Sequence, residues 1–252
     1  MSGIALITGG QQGIGLGIAE ALVAAGYRVA LASRSAGDTP AVLAALARLG
    51  PATRYFSHDL QHIGGAAGLL DRVEAECGPV TTLVSNAGVP AKQRGDMLAL
   101  SPDSFDFVLG VNLRGAFFLA QEVARRMVAR SSESYRSIIF VTSVSAAMAS
   151  VERAEYCISK AGAAMMAELF AVRLAPLGIG VFELRPGIIE TEMTAGVKDS
   201  YTARIEGGLV PAARWGQPAD IGAVVVPLAE GRLAFATGAV IPVDGGLSIA
   251  RL

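Results

Sequence analysis

Ile4-Ala5-Leu6-Ile7-Thr8-Gly9-Gly10-Gln11-Gln12-Gly13-Ile14-Gly15 is the stretch whose reading decides the fold. Its first five residues form a short apolar run, as in a strand buried on both faces. The run stops at Gly9-Gly10. From Ile14 to Ala25 apolar residues recur at helical spacing until Gly26 closes the segment. Strand, glycine loop and helix in that order begin a βαβ unit. Glycines at 9, 13 and 15 let the backbone turn sharply and approach a ligand closely. The helix start beyond them offers unpaired amides and a positive dipole end to a phosphate. A lone glycine cluster says little, but one between the first strand and the first helix points to a dinucleotide. The spacing, G-x-x-x-G-x-G, departs from the commoner G-x-G-x-x-G.

The same alternation continues outward from this loop. Arg28–Ala32, Thr53–Ser57, Val80–Ser85, Ile138–Thr142, Gly180–Leu184 and Val240–Val243 read as further strands. Pro40–Leu49, Gly65–Cys77, Pro102–Arg130, Glu155–Leu174 and Pro218–Leu228 read as helices, the third with a break near Gly110 or Gly115. Strands alternating with helices imply parallel pairing with both sheet faces covered. No linker or charge run divides the 252 residues. The expectation is therefore an α/β protein with a single domain over 1–252, a doubly wound, Rossmann-like parallel sheet of about seven strands. Residues 188–217 lack a clean period. With Met193, Tyr201, Leu209 and Trp215 they read as an excursion that covers an apolar substrate pocket.

Composition narrows the functional classes. The chain is 52% hydrophobic and 17% charged, far from a disordered profile. A formal net charge of −1 supplies no global basic field, so nucleic acid and anionic membrane are not expected as partners. No uninterrupted apolar run approaches the roughly 20 residues needed to cross a bilayer. Met1-Ser2-Gly3 carries no basic leader, and a cytoplasmic protein is expected. Cys77 and Cys157 make no disulfide framework, and His58 and His62 without a Cys/His cluster give no reason to expect a metal.

Gly9, Arg34, Asp59, Asn86, Ser143 and Pro186 follow six successive predicted strands at their C-terminal ends. In an open parallel sheet that edge binds ligands. Ser33 and Arg34 end the second strand, where an adenosine ribose reaches. A guanidinium there pairs with a 2′-phosphate, which favours NADP(H), and Asp38 nearby leaves NAD(H) as the alternative. Asp59 either accepts from the adenine amino group or caps the next helix. Asn86-Ala87-Gly88 suits a tight turn against which a cofactor can lie. Tyr156 and Lys160, four residues apart on a helix, have Cβ atoms about 5–6 Å apart. A free tyrosine titrates near ~10, and the lysine charge is expected to bring it down toward useful proton transfer. Ser143, with Ser145 as competitor, can hold a carbonyl or hydroxyl against the tyrosine. Arg185 either reaches an anionic substrate or pairs with a neighbouring acid.

Thr8-Gly9-x-x-x-Gly13-x-Gly15, Asn86-Ala87-Gly88, Asn112, Ser143, Tyr156-x-x-x-Lys160 and Pro186-Gly187 together resemble the ordered motif set of the classical short-chain dehydrogenases/reductases. The resemblance spans essentially the whole chain, through Val243-Asp244-Gly245-Gly246, and is nearest to members called 3-oxoacyl-[acyl-carrier-protein] reductases. It implies Tyr156 as general acid for carbonyl reduction, and Lys160 as the group that lowers the tyrosine pKa and binds the nicotinamide ribose. Ser143 would hydrogen-bond the carbonyl oxygen, and Asn112 would anchor a water-linked proton relay to Lys160. It further implies cofactor contacts from Gly9, Gln11, Gln12, Gly13, Ile14, Gly15, Ser33, Arg34, Asp59, Leu60, Asn86, Ala87, Gly88, Tyr156, Lys160, Pro186, Gly187, Ile189 and Thr191, the last at the carboxamide. Ser85 stands where the family usually has asparagine. The implied substrate is a 3-oxoacyl thioester. Oxidation of a sugar, polyol or other secondary alcohol is the alternative, and a non-catalytic nucleotide-binding regulator the reading from another class.

Two helical stretches are apolar around most of their circumference: Phe105–Val123, and the segment after Tyr156 with Ala161, Ala163, Ala164, Met165 and Met166. A helix hydrophobic all round is buried on more than its sheet-facing side. In a single-domain chain the expected cover is another subunit, giving a homodimer or homotetramer.

Overall fold

In the computed structural model, which describes residues 3–251, seven strands form one sheet. They are β1 (Ile4–Thr8), β2 (Arg28–Ser33), β3 (Thr53–Ser57), β4 (Thr82–Ser85), β5 (Arg136–Val141), β6 (Ile179–Pro186) and β7 (Val240–Val243). Their order is β3-β2-β1-β4-β5-β6-β7, and every pairing is parallel. The connecting helices are α1 (Gly13–Ala24), α2 (Pro40–Leu49), α3 (Ala66–Cys77), α4 (Pro102–Leu109), α5 (Ala116–Ala129), α6 (Ala154–Leu174), α7 (Glu192–Ala195), α8 (Lys198–Glu206) and α9 (Pro218–Ala229). The expected doubly wound fold is present, with boundaries displaced by a residue or two.

The period-2 alternation of the strands divides the core into two layers. Leu6, Leu83, Ile138, Phe140 and Val181 pack under α3, α5 and α6. Ile7, Val84, Ile139, Phe182 and Leu184 pack under α1, α2 and α9. Each such fully buried side chain contributes roughly 1.5–3 kcal/mol, so the central strands anchor both layers. Strand order reverses between β1 and β4, where one connection leads toward β2 and the other toward β5. The strand ends part there, and that switch point is the natural ligand crevice.

Two departures from the sequence reading bear on the site. The long helix expected over Pro102–Arg130 runs through a π-helical turn at Gly110–Gly115. The wider turn places Asn112 inward, 4% exposed. Within residues 188–217, Trp215 Nε1 donates to Thr202 Oγ1 at 3.0 Å, and the Trp215 and Tyr201 rings meet edge to face at 6.2 Å. Neither aromatic is among the residues that line the groove at the strand ends, whereas Met193 of the same segment is. The run Pro102–Ala129 is long and apolar enough on average to cross a bilayer, but half of its most apolar window lies buried inside the fold.

Candidate active site

The crevice is stitched together by Thr8 and Asn86. The Thr8 hydroxyl accepts from the amides of Asn86 and Ala87, both at 3.0 Å. Asn86 Nδ2 donates back to the Thr8 carbonyl at 2.9 Å. The glycine loop lies against this junction with Gly9 and Gly13 at φ +67° and +53°, a region that favours glycine. A Cβ at Gly15 would stand 2.3 Å from the Gly9 carbonyl oxygen and 2.7 Å from Asn86 Nδ2. No other residue fits there. The tight cradle leaves a groove of about 400 Å³ along the strand ends.

Most of the sequence-predicted residues meet in that groove. Gly9, Gln11, Gln12, Gly13, Ile14 and Gly15 line it together with Ser33, Arg34, Asp59 and Leu60, at the ends of β2 and β3, and with Asn86, Ala87 and Gly88 after β4. Tyr156, Lys160 and Thr191 close the far end. Asp59 Oδ1 also accepts from the Gln61 amide at 2.9 Å, the capping role foreseen as its alternative. Pro186, Gly187 and Ile189 are not among the lining residues. Gly187 packs on Asp244, whose Cα would lie 2.7 Å from an added Cβ, and Ile189 is 4% exposed in the core under α1 and α9. Gly187 and Ile188 remain half-buried between the buried Pro186 and Ile189. Met193, expected over the pocket, lines the groove, and so do His58, Ser35, Val89 and Thr142, which were not singled out for it. No motif or spacing marks them, since the turn after each strand alone sets their direction.

At the chemical end, Tyr156 sits in the first turn of α6 with Ser143 facing it. The Ser143 Oγ accepts from the Ser145 amide at 3.1 Å, which leaves its proton free. Ser145 is 5% exposed and takes Arg153 Nη2 at 3.4 Å, so Ser143 has the less engaged hydroxyl of the two. Lys160 is 6% exposed. Its Nζ donates to the Val141 carbonyl at 3.0 Å and stands 5.7 Å from the centre of the Tyr156 ring. Burial pulls the Lys160 pKa down to about 8, with the Glu183 charge opposing.

The lowering of Tyr156 that the spacing predicts does not occur. Burial pushes the phenol above its ordinary value, and the Ser143 hydrogen bond and the Arg153 charge pull it down without prevailing. The Lys160 ammonium addresses the ring face and the Val141 carbonyl instead of the hydroxyl. Asn112 is fixed by direct hydrogen bonds. Its Oδ1 accepts from the Val89 amide at 2.7 Å, and its Nδ2 donates to the Val89 carbonyl at 3.0 Å and to Ser159 Oγ at 3.1 Å. The side chain clamps the loop after β4 to α6. A Cβ at Gly88 would lie 3.3 Å from Asn112 Oδ1 and 3.6 Å from Lys160 Nζ, which places the two residues across one glycine.

Arg185 pairs with an acid, as its second sequence reading held. Its Nε and Nη2 donate to Glu183 Oε1 and Oε2 at 2.7 and 3.1 Å. Glu183 is 2% exposed and also accepts from Thr142 Oγ1 at 2.6 Å. Three hydrogen bonds from these two partners meet the cost of a buried carboxylate.

These residues suit a nicotinamide dinucleotide. The Gln12 side chain makes no cap at the start of α1, which leaves the first-turn amides free for a phosphate. Gln11 Oε1 is buried without a hydrogen-bond partner among the described residues, an acceptor that a ribose hydroxyl would satisfy. Among the described residues no group of three or more His, Cys, Asp or Glu could hold a metal ion.

Fold, glycine cradle and the Ser143–Tyr156–Lys160 set define a dinucleotide-binding oxidoreductase. The family model described as Enoyl-(Acyl carrier protein) reductase, one of the short-chain dehydrogenase/reductase models, matches residues 9–248. The chain belongs to the short-chain dehydrogenase/reductase family. The 3-oxoacyl-[acyl-carrier-protein] reductase MabA of Mycobacterium tuberculosis (strain ATCC 25618 / H37Rv) is 34% identical over 97% of this chain and 92% of its own. A solved 3-oxoacyl-[acyl-carrier protein] reductase from Brucella melitensis, in complex with NAD, is 48% identical. It matches with a TM-score of 0.96 over 100% of this chain and 99% of that one. A putative 2-deoxy-d-gluconate 3-dehydrogenase from Agrobacterium tumefaciens, solved with bound NADP, is 31% identical, with a TM-score of 0.84 over 97% and 95%.

Proposed function

We propose that the protein reduces the carbonyl of 3-oxoacyl thioesters with a preference for NADP(H), Tyr156 acting as general acid. The observation that carries this reading is the convergence of Tyr156, Lys160 and the glycine cradle on one groove. The cofactor, when bound, supplies and accepts hydride. Tyr156, kept protonated by burial, donates to the developing alkoxide, and Ser143 donates a second hydrogen bond to the same oxygen. Lys160 is placed to hold ribose hydroxyls, and Asn112 keeps the loop after β4 against α6. Arg34 lines the adenosine end without an ion pair or hydrogen bond among the described residues, and Asp38 is exposed outside the lining, which supports the 2′-phosphate reading. Assay of NADPH-dependent reduction across 3-oxoacyl thioesters and keto-sugars tests the substrate. Turnover confined to keto-sugars would replace the thioester with the sugar or polyol reading, which the likeness to the Agrobacterium dehydrogenase favours. A higher kcat/KM with NADH than with NADPH would refute the cofactor preference.

The assembly we infer is a homo-oligomer built on α6. Ile158, Met165, Leu169 and Val172 are exposed by 49, 53, 59 and 79% and recur at spacings of seven, four and three, one helix face. Beside them Phe117, Ala124, Val128 and Phe170 line an apolar groove between α5 and α6. Light scattering on wild type and Val172→Glu checks this: a wild-type monomer would refute it.

A further inference from the structure

We propose that Tyr55, outside the groove, sets how the groove treats the adenosine 2′ position by fixing the Ser33 hydroxyl as a hydrogen-bond acceptor. This rests on the dinucleotide reading and concerns which dinucleotide the groove tolerates. Tyr55 lies on the edge strand β3, and its ring packs against the core under α1 and α2. Its hydroxyl reaches the turn after β2. Tyr55 Oη stands 2.7 Å from the Ser35 carbonyl oxygen, 3.1 Å from the Ser33 carbonyl oxygen and 2.7 Å from Ser33 Oγ.

Proton counting resolves this cluster. A tyrosine hydroxyl carries one proton, and a carbonyl oxygen carries none. The 2.7 Å contact with the Ser35 carbonyl is a hydrogen bond only if the Tyr55 proton lies in it. The equally short contact with Ser33 Oγ then requires the Ser33 proton, because Tyr55 has no second one to give. The Ser35 amide, 3.4 Å from Ser33 Oγ, is also a donor toward that oxygen. Ser33 therefore lines the groove with a lone pair and no free proton.

The ribose 2′ substituent decides whether that matters. A free 2′-hydroxyl, as in NAD(H), can donate to the Ser33 lone pair. A 2′-phosphate offers only acceptor oxygens above its second pKa, and meets the Ser33 oxygen without a proton between them. Arg34 attracts the phosphate while Ser33 declines to donate to it. Tyr55 thereby acts as a positioning residue that limits the NADP(H) preference and keeps NAD(H) usable.

The test is direct fluorescence titration of NADH and NADPH at fixed ionic strength and pH 8, with wild type, Tyr55→Phe, Ser33→Ala and the double variant. Tyr55→Phe keeps the ring and frees the Ser33 proton for the phosphate. The expected result is a shift of the NADH/NADPH Kd ratio toward NADPH of about tenfold, the scale of one charge-assisted hydrogen bond. In the Ser33→Ala background the same change is expected to leave the ratio unmoved, since the effect travels through Ser33. Equal weakening of both cofactors, an unmoved ratio, or a shift that persists without Ser33 overturns the role of Tyr55. Wild type that binds neither dinucleotide overturns the nucleotide reading itself and this inference with it.

Discussion

Replacing Lys160 with methionine is expected to stabilise the cofactor-free protein while abolishing most of its activity. The side chain is 6% exposed, and its pKa is drawn from 10.5 down to about 8 by burial. Holding that ammonium in the fold at pH 7 costs ~3 kcal/mol relative to the unfolded chain. Methionine removes this cost but strands the Val141 carbonyl, whose 3.0 Å bond to Nζ is worth ~1 kcal/mol net. The balance is a gain of ~2 kcal/mol, or roughly 4–8 °C in Tm for a chain of this size. The sign with pH follows from the folded pKa lying below the unfolded one. Between pH 8 and 10.5 the unfolded chain binds the proton more tightly, so wild-type stability rises with pH and the advantage of the variant shrinks. Thermal unfolding of both proteins without cofactor at pH 7 and pH 10 measures it, and turnover is expected to fall at least ~100-fold. A variant less stable than wild type at pH 7, or equally advantaged at both pH values, would refute the reasoning.

Tyr156→Phe is expected to cut kcat by about 10²–10⁴-fold with cofactor Kd changed only a few-fold, as read by turnover and titration; a surviving cellular role would point instead to a nucleotide-binding regulator. The pH profile of kcat/KM for reduction is expected to fall through about pH 8, where Lys160 loses its proton, with Tyr156 contributing only at higher pH because burial raises its pKa. Glu183→Gln removes the charge that holds Lys160 up, so this first break moves to lower pH; an unchanged break would show that another group is responsible. Gly15→Ala places a Cβ 2.3 Å from the Gly9 carbonyl, and a Tm loss equivalent to at least ~2 kcal/mol is expected together with loss of dinucleotide binding.

The chain alone determined the architecture and most of the groove. Apolar runs ending at Gly9, Ser33 and Ser85 announce strand ends, because a buried parallel strand needs a largely apolar run and its ligand edge needs turn and polar residues. The glycines of the first loop and the Tyr156–Lys160 spacing were legible for the same reason: local backbone geometry and helical periodicity are written in neighbouring residues. What lay beyond reach depends on burial and on partners distant in sequence. Spacing placed Lys160 near Tyr156, but the lysine turns to Val141, nineteen residues away, and desolvation then raises the phenol that the charge was expected to lower. The inward turn of Asn112 needed the π-helical segment at Gly110–Gly115. Packing of Gly187 on Asp244 joins residues fifty-seven positions apart. The tie between Tyr55 and Ser33 spans twenty-two residues and two strands. Periodicity and motif spacing fix where a residue stands on its element, whereas the direction of a proton and the value of a pKa are decided by the tertiary surroundings that desolvate and pair it.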